Sequence, residues 1–384
     1  MLGLAFHNGV LPARKFEYRV APLYAFGSKE LSGLGSVQYN IFPASEKIRK
    51  ISFGLNARTF TFAESDSLRT ETGFESTRLR YRGLVPFVRI ELVKSPVSKF
   101  YQAIQFRSIL LDQQDETFRQ DSTGNFYTGN DWFGSTIHEL SWEMGNRRAI
   151  NPYRVRLALE QQQYDDFFGR EQKYLRASFE WNAAFTYDQK RSVDIRVFAG
   201  KFFQNSERKN RGLVFNEAFN LTAQGFNDYR YDDLFFGRTE TEGFLSQQVS
   251  PWREGGMKVP FGSAYSEGRS NDFIFAVNLK ADLPQDLPLK LPLKPYFDMG
   301  YYNDARPISS GLTFEDQLWW QGGFALEFGN GIAGVYFPVI SSENLRGEAG
   351  LYDSSGRNSF WKKISFSLNL RALNPWEFAD KFEF

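Results

Sequence analysis

Between residues 364 and 371 every second side chain is apolar. Ile364, Phe366, Leu368 and Leu370 alternate with Ser365, Ser367, Asn369 and Arg371. A β-strand turns successive side chains to opposite faces, so this stretch has one apolar and one polar face. The same period of two recurs along the chain. Ile51, Phe53, Leu55 and Ala57 alternate with Ser52, Gly54, Asn56 and Arg58, and Val155, Leu157 and Leu159 alternate with Arg154, Arg156 and Glu160. No helical period is sustained anywhere, and no run of about 18 apolar residues exists to make a transmembrane helix. A chain that cannot cross a bilayer by helix but repeats a two-faced strand reads as an all-β, closed antiparallel transmembrane β-barrel of the bacterial outer membrane, where only alternate residues meet lipid. The aromatic share of 17% suits lipid-facing walls and interfacial girdles.

Strand candidates follow one another at hairpin spacing over 2–8, 15–27, 33–42, 48–62, 77–93, 99–111, 135–144, 153–160, 174–186 and 193–203. A second run covers 272–283, 294–302, 317–328, 331–339 and 359–372. One further strand within 225–238 brings the expected number to about sixteen, even as in single-chain bacterial barrels. Tight connections, such as Gly329-Asn330, are separated by long ones over 113–134, 204–270 and 341–358. Short turns on one side and long loops on the other are the asymmetry of such barrels. The 204–270 connection far exceeds ordinary loop length and is expected to fold over or into the lumen as a functional element.

Charge narrows the function classes. The formal net charge is +1 and the chain has no cysteine, so neither a nucleic-acid surface nor disulfide or thiolate chemistry is indicated. Arg78, Arg80 and Arg82 share one strand face, as do Arg154 and Arg156. An arginine facing lipid at mid-depth would cost about 2–4 kcal/mol, which assigns this face to the lumen. With Glu180, Asp194 and Arg196 the interior reads as a salt-bridged network that rigidifies the barrel, and the alternative is an anion-selective pore. The two histidines, His7 and His138, stand in no zinc spacing, and there is no nucleophile elbow or phosphate loop, so no enzymatic activity and no cofactor or metal is expected. Trp319, Trp320, Trp361 and Trp376 fall near strand ends, as interfacial anchors do. Residues 1–384 form one barrel domain on this pattern. Met1 opens directly on strand-like sequence without an export signal, so either further domains upstream or a removed signal is expected.

The C-terminal third resembles the barrel of the BamA/TamA superfamily of outer-membrane assembly and secretion factors, also known as bacterial surface antigens. The pieces that carry the resemblance are, in order, 271–279, Pro295-Tyr296-Phe297-Asp298-Met299-Gly300, 322–328 with 331–339, and 364–370, over about 115 residues in all. The resemblance implies that an arginine at the tip of the long loop grips an acid on an inner strand; Arg238 and Asp298 are the candidates, although Thr239 stands where the family has glycine. At the second acidic position of the family this chain has Lys280, with Asp282 two residues on. It further implies a weak seam between the first and last strands, here Leu4 against Phe366 and Leu368, and partners that are client β-barrel proteins or translocated protein, besides outer-membrane lipid. Two short segments, 79–86 and 374–378, also resemble barrels attached to gluzincin-type aminopeptidases of Bacteroidetes-like bacteria, which would make this chain the membrane anchor of an absent peptidase domain. A passive pore is the third expectation.

Overall fold

The computed structural model describes residues 2–8, 14–70, 73–93, 98–120, 124, 126–165, 171–189, 191–206, 217–240, 242–260, 268–284, 293–303, 317–329, 331–346, 351–354 and 356–369. Successive antiparallel strands fill nearly all of it: β1 (Leu2–Gly3), β2 (Phe6–His7), β3 (Phe16–Ala25), β4 (Glu30–Ile41), β5 (Ile48–Thr70), β6 (Gly73–Leu92), β7 (Phe100–Gln120), β8 (Phe126–Asn146), β9 (Tyr153–Asp165), β10 (Glu171–Asp188) and β11 (Arg191–Asn205). The long connection then carries a small ribbon of β12 (Phe219–Asn220) and β13 (Arg269–Ser270). The main sheet resumes with β14 (Phe273–Ala281), β15 (Leu293–Tyr302), β16 (Leu318–Phe328), β17 (Ala333–Ser341) and β18 (Ser365–Leu368).

All but the small ribbon join one 16-stranded sheet in sequence order, with β1 and β2 sharing the same flank of β3. The ladder therefore has the neighbours the dyad pattern calls for, strand by strand. Three of the expected elements change. Residues 113–134 are not a loop: β7 and β8 stay paired from Gln113↔Phe133 to Gln120↔Phe126. The sequence there loses its apolar alternation because the hairpin runs beyond the apolar band, where both faces tolerate polar groups. The strand expected within 225–238 is absent, replaced by a 3-10 turn at Gly225–Asn227 and an irregular path. The last strand is also shorter than 359–372, because Phe360–Lys363 forms a helical turn ahead of it, and residues 370–372 lie outside the described residues.

Alternation sets two unlike surfaces. Leu140, Leu157 and Leu159 are 45–46% exposed on the outer face, while their neighbours Glu139 and Glu160 are at most 4% exposed on the inner one. The inner face is covered by the long connection. Its Leu221, Met257 and Val259 pack with Phe198, Ile274, Tyr302 and Trp319. Tyr231 packs with Tyr81, Val85, Ile109 and Ile137, and Val249 with Tyr296, Ala325 and Tyr336. One compact segment thus touches β6–β8, β10–β11 and β14–β17 on the same face, which a flat sheet cannot allow. The sheet is rolled around its own loop. Among the described residues no ladder joins β1 to β18. Trp319 belongs to this interior rather than to an interfacial belt, whereas Trp320 stacks on Phe297 and Trp361 is exposed; Trp376 lies outside the described residues.

The wall is shaped to admit the loop. A Cβ at Gly300 would lie 2.4 Å from a Leu221 methyl and 3.1 Å from the Met257 sulfur. Gly300→Val is therefore expected to push the loop root off the wall at an overpacking cost of about 1–3 kcal/mol. Limited trypsin digestion of the folded barrel will check this: cleavage after Arg253 or Lys258 should appear in the variant and be absent in the wild type.

Candidate functional site: the lumenal loop and the terminal strand edge

Ionic anchors complement the apolar ones. Arg230 sits between two wall carboxylates, with Nη1 2.9 Å from both Glu139 and Glu160. Glu139 also takes a two-pronged contact from Arg107 at 3.0 Å and one from Arg156 at 2.7 Å. Asp232 of the loop reaches back to Arg107 and to Arg58, each at 3.3 Å. Glu160 accepts from Tyr174 at 2.8 Å, from Tyr229 at 2.6 Å and from Arg176 at 3.0 Å, and Arg176 also donates to Tyr229 and, at 2.6 Å, to the Glu217 carbonyl. Buried charges are tolerable only when paired and hydrogen-bonded in this way. Arg154 with Glu143, and Arg196 with Glu180, extend the inner network at 3.0 Å each.

The arginine–aspartate pair expected from the resemblance does not form. Arg238 turns into its own loop, where it meets Asp228 at 3.0 Å and donates to the carbonyls of Gly225, Asp228 and Asp233. Its ring neighbour is Tyr231, 4.4 Å from the guanidinium carbon. Asp298 is gripped instead by Lys258, with Nζ at 2.7 Å and the backbone N–H at 3.0 Å, and Asn278 donates to it at 3.0 Å. The physical reason is reach. Lys258 lies on the return limb of the loop, pressed against β14 and β15 beside Gly256, whose φ of 61° and 2.6 Å Cβ approach to Arg196 admit only glycine. Lys280 pairs with Glu327 at 2.8 Å. Nothing in the order of residues distinguished Lys258 or Arg230 as the anchors; Asp298 alone was legible.

The arginine face of β6 is likewise divided. Tyr81 and Val85 point inward, so Arg80 and Arg82 lie on the outer side. There Arg80 meets Glu30 at 3.3 Å, and Arg82 meets Asp112 at 2.9 Å with its guanidinium over Trp132. The lipid-cost argument fails for these residues because the long strands β5–β8 carry them past the apolar rows. Arg78, itself half-buried, lies two residues before Arg80 on the same strand. Arg156 and Arg154 do face the lumen. His138 lies on the outer face against Ser108, with 2.9 Å between Nδ1 and Oγ.

At the far end of the sheet, β18 pairs with β17 through four residues, Ser365↔Tyr336 to Leu368↔Ala333. Its other edge is met by the loop. The Val249 N–H donates to the Phe366 carbonyl at 2.8 Å, and Gln248 forms a parallel bridge with Phe366. Ser365 donates to the Lys258 carbonyl at 2.8 Å and is fully buried, and Ile364 ahead of it is buried rather than turned to the outer face. Leu4 stands at the opposite end of the ladder, its N–H donating to Pro22 at 3.3 Å, and it is not brought to Phe366 or Leu368 among the described residues.

Two predictions arise here. Asp298→Ala strands a buried Lys258 and is expected to cost about 3–5 kcal/mol, with Lys258→Met in the same molecule recovering most of it. Glu30→Ala, at an exposed pair, should cost no more than about 1 kcal/mol; urea unfolding in lipid vesicles measures all three. The second concerns acid. Burial alone would raise the Asp228 pKa, but Arg253 and Arg238 outweigh it and hold the carboxyl below the usual aspartate range. A pKa depressed by folding contributes stability that is complete above the unfolded value and is lost as pH falls through the folded one. Pepsin resistance of the loop should therefore persist through the ordinary aspartate range near ~4 and fail only below it, whereas Asp228→Asn should be cleaved throughout.

No family model and no curated protein matches the chain. Among solved structures it is similar to the crystal structure of BamA from Haemophilus ducreyi lacking POTRA domains 1-3, at 12% identity and a TM-score of 0.42, over 88% of this chain. The chain spans 65% of the length of that one.

Proposed function

We propose that this chain is an integral outer-membrane β-barrel of the assembly or translocation type, acting at the edge of its last strand on an extended segment of a client protein. The observation that carries the reading is the state of β18 among the described residues: a four-residue strand whose second edge meets the loop, with no ladder to β1. In lipid an unpaired strand edge has no water to satisfy it, so the edge must be filled by some strand-like partner. Adding a strand to such an edge is the general mode of β-augmentation, in which main-chain hydrogen bonds supply affinity. The apolar outer rows, with Leu140, Leu157 and Leu159 exposed, support the membrane setting.

A passive pore is disfavoured by the same geometry, because the loop occupies the space between the walls. The peptidase-anchor reading gains nothing here: Tyr81 and Val85 of its first segment serve the inner wall, and its second segment, 374–378, lies outside the described residues.

Reconstitution tests the proposal. The full chain in phospholipid vesicles is expected to speed the folding of a small outer-membrane barrel added from urea, relative to empty vesicles, while planar-bilayer recordings show little steady conductance. Large open conductance without any effect on client folding would replace this reading by the pore.

A further inference from the structure

The loop divides into two parts that differ in how they are held. The root, with Leu221, Tyr229, Arg230, Asp232 and Lys258, is buried and tied to the wall by the apolar and ionic anchors described above. The segment 244–249 is held differently. Its Phe244 is 62% exposed and stacks face to face on Phe366, with ring centroids 4.7 Å apart and planes 9° from parallel. Phe366 belongs to the half-exposed face of β18, opposite the buried Ser365 and Ser367. The loop therefore begins in the lumen and reaches the outward side of the terminal strand.

Around this stack one contact is the main-chain bond a neighbouring strand would make, and the others come from side chains. The Val249 N–H takes the Phe366 carbonyl at 2.8 Å. The Gln247 amide donates to the Lys362 carbonyl at 2.8 Å and the Trp361 carbonyl at 3.3 Å, so it caps the helical turn that precedes β18. Arg357, at the start of that approach, donates to the Ser246 hydroxyl at 2.6 Å. None of these is an ion pair, and several are single neutral hydrogen bonds, each of modest net worth against the charged anchors of the root.

The geometry points to segment 244–249 as a releasable latch: a surrogate edge strand that occupies the free edge of β18 at rest, while the root keeps the loop in the lumen when the latch lets go. This inference rests on the proposed function for what the exposed edge would receive, and it adds how access to that edge is regulated. Opening would break one backbone hydrogen bond, one aromatic stack and a few side-chain contacts and would withdraw the buried Val249 from Tyr296, Ala325 and Tyr336, without breaking the ion pairs of Arg230 or Lys258. A gap covered by a segment of the same chain also satisfies the requirement that no edge stand bare in lipid.

The test uses the full chain in phospholipid vesicles, and the absence of cysteine gives a clean background. Phe244→Cys with Phe366→Cys should be joined in high yield by a short bis-maleimide, each thiol adding across one maleimide double bond, whereas Phe244→Cys with Leu140→Cys should not. Val249→Pro removes the donor to Phe366 and should speed amide exchange across 365–368 roughly five- to tenfold, with exchange at 228–232 unchanged. Phe244→Ala, at an exposed side chain, should act in the same direction and keeps the test readable if the proline variant misfolds. Failure of the first pair to link in a folded barrel, or unchanged exchange at 365–368 in both variants, overturns the latch. Neither readout involves a client, so a latch found in a barrel that accelerates no client folding would remove the proposed function alone.

Discussion

Arg230 between Glu139 and Glu160 is the interaction on which the rest of the structure depends. It is the point where a loop residue is shared by two wall strands, and around it every charge has a partner of opposite sign. A guanidinium or carboxylate alone in that interior would be unaffordable; the complete set is tolerable because each member satisfies the others. The consequence is geometric. Arg58, Arg107 and Glu139 must converge with Glu160 and Arg176 on one short stretch of loop, and strands that carry them can do so only if the sheet rolls. The network thus reports the curvature of the wall as much as it fixes the loop.

Packing supports the same arrangement from the apolar side. Leu221 and Tyr231 enter different sectors of the wall and hold the root at two separated places, while Val249 of the segment 244–249 enters a third. Wall glycines make room where loop side chains come close, as at Gly300 beneath Leu221 and Met257. Interiors packed to this density respond to a single added methyl by moving whole elements. A loop braced in this manner is part of the core on which the sheet packs, and its exposed large apolar side chains among the described residues are Leu234, Phe236, Phe244 and Leu245.

The fold was legible because alternation is a local property. Val155, Leu157 and Leu159 against Arg154, Arg156 and Glu160 declare both faces of β9 without knowledge of any neighbour. Legibility failed where a residue's environment depends on height along the strand. Arg80 and Arg82 alternate like lumen residues, yet they lie on the outer side beyond the apolar rows, paired with Glu30 and Asp112. It failed again for the loop, whose partners are set by three-dimensional reach. Asp298 stood out by its place before Gly300, but Lys258 and Arg230 are ordinary cations in sequence, chosen by where the chain returns to the wall. The strand misplaced within 225–238 has the same origin: Tyr229 to Asp233 send side chains in several directions to meet several strands, which no two-fold period describes.

Under the proposed membrane reading, the short β18 is best understood through what a lipid-facing edge demands. A long β18 laddered to the first strand would close the sheet with many hydrogen bonds at once, and separating them would cost each bond together in a medium without water. A four-residue strand needs few partners, and a loop segment already present in the lumen can supply them. The helical turn at Phe360–Lys363 removes further backbone groups from the edge by satisfying them locally, with Gln247 taking the carbonyls of Trp361 and Lys362 that the turn leaves over. Shortening the strand, capping its approach and supplying a surrogate neighbour all reduce the same quantity, the number of main-chain groups that must change partner when the edge is used. That convergence ties the loop's two halves to one another: only a loop rooted by buried charge can release its outer section and still return it to the same edge.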